Sequence, residues 1–190
     1  MRKLILASSS KYRRTLLERL KIPFEWISPQ IDEMPKTDET PHELVKRLSL
    51  AKANAIATTN SNAIVIGSDQ VAVFNHKIIG KPGCFENAFK QLKSFSGNQL
   101  TFITGVTVVC LTQHRETYKY SEVTVQFKQL SDQQIKNYLL KDEPYNCAGS
   151  FKIESLGISL FESVESDDPT SLEGLPLIIV CRLLSSLGFS

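Results

Sequence analysis

The chain has 190 residues, of which 42% are hydrophobic and 22% are charged, a composition typical of a globular protein with a buried core. Its formal net charge of +2 is too small to indicate an extended nucleic-acid or membrane-binding surface. The apolar N-terminal stretch is interrupted by hydroxyls and charges after Ala7, which excludes a signal peptide or a membrane span there. We therefore expect a cytoplasmic protein, folded over residues 1–190 as a single domain or as two intimate lobes.

The first predicted elements are a strand over 4–7, a turn of three serines and a helix. Free backbone N–H groups and the positive end of the helix dipole favour an anion at such a turn. Arg13 and Arg14 lie in the first helical turn, where an isolated helix would favour Asp or Glu. Ser8 and the two arginines are therefore candidate phosphate ligands. The alternative, that Ser10 simply caps the helix and the cations face solvent, stays open.

Helical spacing places Tyr12 on the predicted apolar face of this first helix. A second helix is predicted after Thr40, because Glu43 completes a capping box with it. Lys52 belongs to this second helix, and Glu33 lies in the acidic loop before it. Cationic helix faces and acidic loops are usually solvated, so neither residue alone indicates a site.

An apolar run over 63–66 predicts a strand that breaks at Gly67–Gln70 and is followed by a hairpin over 71–82. Asp69 is the informative residue in the break. Burying a carboxylate costs several kcal/mol unless a lysine, a metal ion or a water molecule to be activated pairs with it. The alternative is that Asp69 caps a turn through an Asx motif.

The rest of the chain predicts three helices and a long β-hairpin. The hairpin runs from Leu100 to about Gln129, between helices over 85–96 and after Ser131. The segment 147–154 is predicted to enter a strand that continues to Val164, and an apolar final helix starting near Pro176 is expected at the centre of the core. The expected fold is α/β, with a mixed sheet, long β-hairpins and flanking helices around a phosphate-binding cleft.

Seven stretches of the sequence resemble, in order, motifs of the Maf family of nucleoside triphosphate pyrophosphatases. They are LILASSSKYRR at 4–14, RLSLAKA at 47–53, IGSDQV at 66–71, GKP at 80–82, TGV at 104–106, CAGSFKIE at 147–154 and GLPL at 174–177. The forms IGSDQ and CAGSF are similar to the branch of the family that hydrolyses 7-methyl-GTP. The resemblance also implies a fold like that of inosine triphosphate pyrophosphatases.

The resemblance implies hydrolysis between the α- and β-phosphates, which gives a nucleoside monophosphate and pyrophosphate. Asp69 matches the proton acceptor of the family and would deprotonate or orient the attacking water. Besides the serine turn and its arginines, Lys52 and Lys81 would bind phosphate. A divalent cation, Mg²⁺ or Mn²⁺, is expected as cofactor, with Glu33 and Asp69 as its ligands.

The resemblance also implies which residues select the base: Tyr12, Gln70 and Glu154. The 7-methylguanine ring is positively charged and favours an aromatic face such as Tyr12. Its N1–H and N2–H₂ edge donates two hydrogen bonds that the carboxylate of Glu154 accepts well. Tyr12 stands where a tryptophan is expected in similar sequences, and tyrosine still stacks.

Two further functions stay open. With the same fold and reaction, the substrate would be dTTP or UTP. Alternatively, the chain would be a nucleotide-binding regulator of cell division and septum formation, in which hydrolysis is incidental. The expected partner is in each case a nucleoside triphosphate, with no nucleic acid or membrane, and the resemblance is compatible with a homodimer.

Overall fold

The computed structural model describes residues 2–189, which divide into two compact units. Within the described residues, the first unit consists of residues 2–70, 103–121 and 168–189, and the second of Val71–Phe102 and Glu122–Asp167. None of the described helices is long and apolar enough to cross a membrane.

Seven strands of the described residues form one mixed sheet. They are β1 (Leu4–Ala7), β2 (Glu25–Ile27), β3 (Ile64–Phe74), β4 (Lys77–Ile79), β5 (Gln99–Cys110), β6 (Arg115–Phe127) and β7 (Phe161–Ser166). The strand order is β2-β1-β3-β5-β6-β7, and β4 pairs with β3. β1 is parallel to β2 and β3, whereas β4 and β7 run antiparallel to their neighbours. The predicted α/β class with a mixed sheet is confirmed.

Five α-helices accompany the sheet within residues 2–189. They are α1 (Lys11–Glu18), α2 (Pro41–Ala57), α3 (Phe85–Phe95), α4 (Asp132–Asp142) and α5 (Leu177–Ser186). The two predicted capping boxes are in place, at Thr40 for α2 and at Ser131 for α4. Ser10 caps α1, which the sequence left open as an alternative.

Strand β3 runs unbroken through Gly67–Gln70, so the break predicted there is wrong. The buried polar side chains of this stretch have hydrogen-bond partners within the folded chain. The hydroxyl of Ser68 lies 2.9 Å from the carbonyl oxygen of Gly105 and 3.1 Å from that of Gly174. Because these partners satisfy its polar groups, the strand passes through the core without a turn.

The two faces of β3 pack against different helices, as the alternation of a strand requires. Even-numbered Ile64 and Ile66 share a core with apolar residues of α1 and α5. Odd-numbered Val65 packs with Ala53 and Ile56 of α2. Ser68 therefore belongs to the face covered by α1 and α5, whereas Gly67 and Asp69 belong to the face covered by α2.

Gly67 is where α2 approaches β3 most closely. A Cβ atom at this position would overlap the backbone carbonyl of Ser49 and the backbone nitrogen of Ala53. We expect Gly67→Ala to lower the free energy of unfolding by about 1–3 kcal/mol, because two backbones would have to separate. Denaturant unfolding measures this loss. Gly80→Ala is the control, since nothing lies within 4 Å of its added Cβ, and equal losses for both variants would contradict the packing argument.

Two predictions for the C-terminal third are wrong. The segment 147–154 does not enter a strand that continues through Gly157 to Val164. A turn of 3₁₀ helix covers Leu156–Leu160 instead, and β7 begins only at Phe161. Helix α5 is also not central, because it packs through one face; Ile178 on the other face is 40% exposed. Its nearly continuous apolar sequence gave no periodicity from which the exposed face could be recognised.

The second unit has an aromatic core of its own. Phe127, Phe151 and Phe161 contact one another edge to face, and Phe74 and Phe95 extend the cluster, with ring centroids 4.8–5.9 Å apart. Helices α3 and α4 pack together in the same unit. This core holds the segment 147–157, which includes the predicted specificity residue Glu154.

Candidate active site

The serine turn lies in the first unit, at the carboxyl end of β1. Ala7 pairs with Gly67, so the turn begins where β3 enters its polar stretch. Ser8 is 3% exposed, and its hydroxyl accepts a hydrogen bond from the backbone N–H of Ser10 at 3.1 Å. Ser10 in turn accepts from the backbone N–H of Arg13. The predicted strand–turn–helix arrangement is therefore present, with Ser10 capping the helix as the alternative expects. Binding of an anion at this turn stays a prediction.

Lys52 joins the two carboxylates that were predicted as metal ligands. Its Nζ lies 2.7 Å from Oδ1 of Asp69 and 3.0 Å from Oε1 of Glu33. Lys52 and Asp69 are only 5% and 7% exposed, whereas the side chain of Glu33 is 58% exposed. The free-energy cost of burying the Asp69 carboxylate is thus offset by Lys52, and a lysine was one of the partners that the sequence allowed. Because Asp69 lies in a continuous strand, the alternative of an Asx turn is wrong.

The side chain of Arg13 lies near the Lys52–Asp69 pair and is held by the backbone of Gly174. Its Nε donates to the carbonyl oxygen of Gly174 at 2.8 Å. Burial lowers the pKa of the Arg13 guanidinium, and the nearby carboxylates of Asp69 and Glu33 raise it. The charge of Arg13 lies near both carboxylates, and its guanidinium can donate hydrogen bonds to an anion at this place.

Arg14, which the sequence grouped with Arg13, points to a different neighbour. Its guanidinium carbon lies 4.1 Å from the ring centroid of Trp26 on β2, a cation–π geometry. Its buried Nε has no hydrogen-bond partner among the described residues. The two consecutive arginines are therefore held differently, and the phosphate-binding role of Arg14 stays a prediction.

Gln70 is held by the segment before α5. Its amide nitrogen donates to the hydroxyl of Thr104 at 2.9 Å and to the carbonyl of Ser171 at 2.8 Å, and Thr104 also donates to Ser171. These bonds occupy the amide nitrogen, so any contact of Gln70 with a base has to use another atom or a rearrangement. Its role as a specificity residue stays a prediction.

The segment 171–174 is a part of the site that the sequence did not single out. Its backbone carbonyls fix Arg13, Ser68 and Gln70. A salt bridge of 2.9 Å between Arg19 at the end of α1 and Glu173 fixes the segment itself. Only the GLPL motif gave a signal here, because backbone carbonyls leave no mark on composition or periodicity.

The loop that carries Glu33 is anchored to α2 by Arg47. The guanidinium donates to both carboxylate oxygens of Glu39, at 2.6 and 2.7 Å, and to the carbonyl of Met34 at 3.0 Å. Since Arg47 and Lys52 belong to the same helix, this anchor keeps the loop next to the Lys52–Asp69 pair. The bidentate geometry makes this anchor stronger than a single surface ion pair.

Glu39→Gln should make the protein less stable at neutral pH but not at strongly acidic pH. The hydrogen bonds from Arg47, and then that from the backbone of Lys36, lower the pKa of Glu39 from 4.5 to about 2. This stabilisation is therefore present above pH 4.5 and disappears as the pH falls towards 2. Thermal unfolding midpoints of both proteins from pH 7 to 2 should converge at the acidic end. Glu25→Gln, in an exposed pair with Lys3, is the control, and a gap that does not change with pH would contradict this assignment.

The three remaining predicted site residues are exposed. Tyr12 on α1 is 42% exposed, so its predicted place on a buried face is wrong, and its ring is accessible instead. Lys81 and Glu154 lie in the second unit and are both exposed. Their roles in phosphate and base binding stay predictions.

The donor set of the first unit fits a divalent cation of the magnesium type. Glu33 and Asp69 converge on Lys52, which brings two carboxylates together. Within residues 2–189, no group of three or more His, Cys, Asp or Glu side chains forms a metal cage. Mg²⁺ typically uses one or two carboxylates together with substrate phosphates and water, and two carboxylates meet that need.

A family model described as Maf-like protein matches residues 3–187. The chain belongs to the Maf family. The family prediction made from the seven motifs is thus confirmed, over almost the whole length of the chain.

Several relatives from this family are similar over nearly their full length. Relatives from Pseudoalteromonas translucida, Polaromonas sp. and Pseudomonas savastanoi are 52%, 50% and 48% identical. The matches cover 97%, 98% and 100% of this chain and 92%, 85% and 99% of the relatives. All three are named 7-methyl-GTP pyrophosphatase. The Ham1 protein of Staphylococcus aureus is similar to a lesser degree, with a TM-score of 0.48 and 15% identity over 67% of this chain and 73% of its own.

Proposed function

We propose that this Maf protein hydrolyses 7-methyl-GTP to 7-methyl-GMP and pyrophosphate. The observation that carries the proposal is the buried Asp69–Lys52 pair in the same unit as the serine turn. Relatives that are about half identical bear the name of this activity. The reaction would remove a modified nucleotide before it enters a nucleic acid. Residues 1–190 would act as one domain in the cytoplasm, where nucleoside triphosphates are made and used.

The first task of the site is to bind a strongly anionic triphosphate. The positive end of the α1 dipole, which lies at the serine turn, would favour phosphate oxygens. Arg13, oriented through its Nε by Gly174, would offer its remaining N–H groups to a second oxygen. Lys52 supplies a further positive charge. Lys81 is proposed to bind phosphate from the resemblance of its GKP motif alone.

Asp69 would act on the attacking water. As the water oxygen forms its bond to phosphorus, one proton passes to the Asp69 carboxylate and the bridging P–O bond between the α- and β-phosphates breaks. The contact with Lys52 holds Oδ1 of Asp69 in place, so the carboxylate is positioned before the substrate arrives. With attack at the α-phosphorus, pyrophosphate is the leaving group and takes the electron pair of the broken bond.

Glu33 and Asp69 would hold a Mg²⁺ or Mn²⁺ ion. When bound, the ion neutralises phosphate charge and orients the triphosphate. The side chain of Glu33 is more exposed than that of Asp69, and its loop is anchored through Arg47.

Base selection is proposed for Tyr12, Gln70 and Glu154. The exposed ring of Tyr12 can stack on the cationic 7-methylguanine ring, and Glu154 can accept from its N1–H and N2–H₂ groups. The predicted homodimer, and the expected lack of nucleic-acid and membrane partners, stay predictions.

A nucleotide panel tests the proposal. The purified protein is incubated with Mg²⁺ or Mn²⁺ and with 7-methyl-GTP, GTP, dTTP, UTP, CTP or ITP, and kcat/KM is measured for each. The highest value is expected for 7-methyl-GTP. Preference for dTTP and UTP would overturn the base assignment, and no turnover of any nucleotide would favour the regulator of cell division.

A further inference from the structure

Glu154 lies in a tight turn over residues 152–157 of the second unit. The carbonyl oxygen of Lys152 accepts from the backbone N–H of Ser155 at 3.3 Å and of Gly157 at 2.9 Å. A Cβ atom at position 157 would overlap the backbone of Lys152, so the turn requires glycine there. The position of Glu154 is thus set by the closure of this turn.

The turn is attached to α4 by three hydrogen bonds. The backbone N–H of Lys152 donates to the hydroxyl of Tyr138 at 3.0 Å, and the Lys152 ammonium donates to the backbone carbonyl of Asp142. The hydroxyl of Ser155 donates to Oδ1 of Asp142 at 2.6 Å. Lys152 and Ser155, which flank Glu154, are therefore tied to the C-terminal half of α4.

Asp142 is the buried residue of α4 to which both Lys152 and Ser155 of the turn are bonded. It is 8% exposed, and its Oδ2 has no hydrogen-bond partner among the described residues. Burial raises the pKa of the neighbouring Tyr138, and Asp142 raises it further, so the Tyr138 hydroxyl stays protonated. A buried carboxylate costs stability unless hydrogen bonds satisfy it, and the bond to Oδ1 of Asp142 comes from the turn that carries Glu154.

We propose that Asp142 is a positioning residue for base recognition, which acts through Ser155 on the orientation of Glu154. This inference rests on the proposed function, in which Glu154 binds the N1–H and N2–H₂ edge of the guanine. A fixed turn lowers the entropy lost when the carboxylate orders on the base. Loosening the turn would therefore weaken selection of the base and leave the hydrolytic step unchanged.

Ser155→Ala tests the inference most simply, because the side chain is exposed on the turn and only the bond to Asp142 is lost. We expect KM for 7-methyl-GTP to rise about fivefold, the change that loss of one hydrogen bond typically causes, with kcat unchanged. Tyr138→Phe removes the acceptor of the Lys152 N–H and should act in the same direction. Asp142→Asn keeps an oxygen for Ser155 and should retain most of the affinity that Asp142→Ala loses.

Ser159→Ala is the matched control, since this exposed serine donates only to the nearby carbonyl of Leu156. Glu154→Gln is measured in parallel. If Glu154→Gln raises KM for 7-methyl-GTP and Ser155→Ala does not, the positioning role is wrong and the proposed function stands. If Glu154→Gln leaves the preference for 7-methyl-GTP over GTP unchanged, the base assignment fails and the inference fails with it. A fall in kcat for Ser155→Ala without a change in KM would also overturn the inference.

Discussion

Replacing Asp69 by asparagine is expected to lower kcat for 7-methyl-GTP by about 10²–10⁴, the contribution typical of a positioned general base. Asparagine keeps the shape of the side chain and an oxygen that can accept from Lys52, but it cannot take the water proton. KM should change much less than kcat, because the proposed phosphate contacts of Arg13 and the serine turn are not altered. Steady-state release of pyrophosphate measures both constants.

The matched control for this variant is Asp132→Asn. Asp132 pairs with Lys93 in an exposed salt bridge of the second unit, so its loss should leave kcat unchanged. Turnover close to that of the unmodified protein with Asp69→Asn would remove Asp69 from the reaction. In cells, a division phenotype that survives this substitution would favour the regulatory function over catalysis.

Replacing Lys52 by methionine is expected to cost about 3–5 kcal/mol of unfolding free energy, because it leaves the buried carboxylate of Asp69 without its partner. Activity should also fall, since the same ammonium is proposed to bind phosphate. Denaturant unfolding at neutral pH measures the first effect. Activity is measured without denaturant, under conditions in which the variant has been shown to be folded.

A double variant separates the energy of the Lys52–Asp69 interaction from the cost of the altered packing that Lys52→Met causes. Lys52→Met made together with Asp69→Asn should lose less stability than the sum of the single variants, because no buried charge is then left unpaired. Lys93→Met, in the exposed pair with Asp132, is the control and should cost at most about 0.5 kcal/mol. Simple additivity of the two buried substitutions would contradict a direct Lys52–Asp69 interaction.

Local rules predicted much of this fold. Helix caps depend on residues three positions apart, so Thr40–Glu43 and Ser131–Gln134 could be recognised directly from the sequence. The strand and serine turn at 4–10 follow in the same way. Lys52 as partner of Asp69 was one of several alternatives, and only the packing of α2 on β3 decided between them.

The errors arose where distant residues decide the structure. β3 passes through Gly67–Gln70 because Gly105, Gly174 and Lys52 satisfy its polar groups, and no local pattern contains that information. Arg13 and Arg14 look equivalent in the sequence, but their neighbours are a carbonyl and an indole ring, respectively.

The most direct test of the proposed chemistry is to identify the products of 7-methyl-GTP hydrolysis. Phosphorus NMR of a complete reaction, with mass spectrometry of the nucleoside product, distinguishes the two possible cleavage positions. Cleavage between the α- and β-phosphates predicts equal amounts of 7-methyl-GMP and pyrophosphate, and no products with Asp69→Asn on the same time scale. Formation of 7-methyl-GDP and phosphate, or unchanged 7-methyl-GTP, would contradict the proposed pyrophosphatase activity.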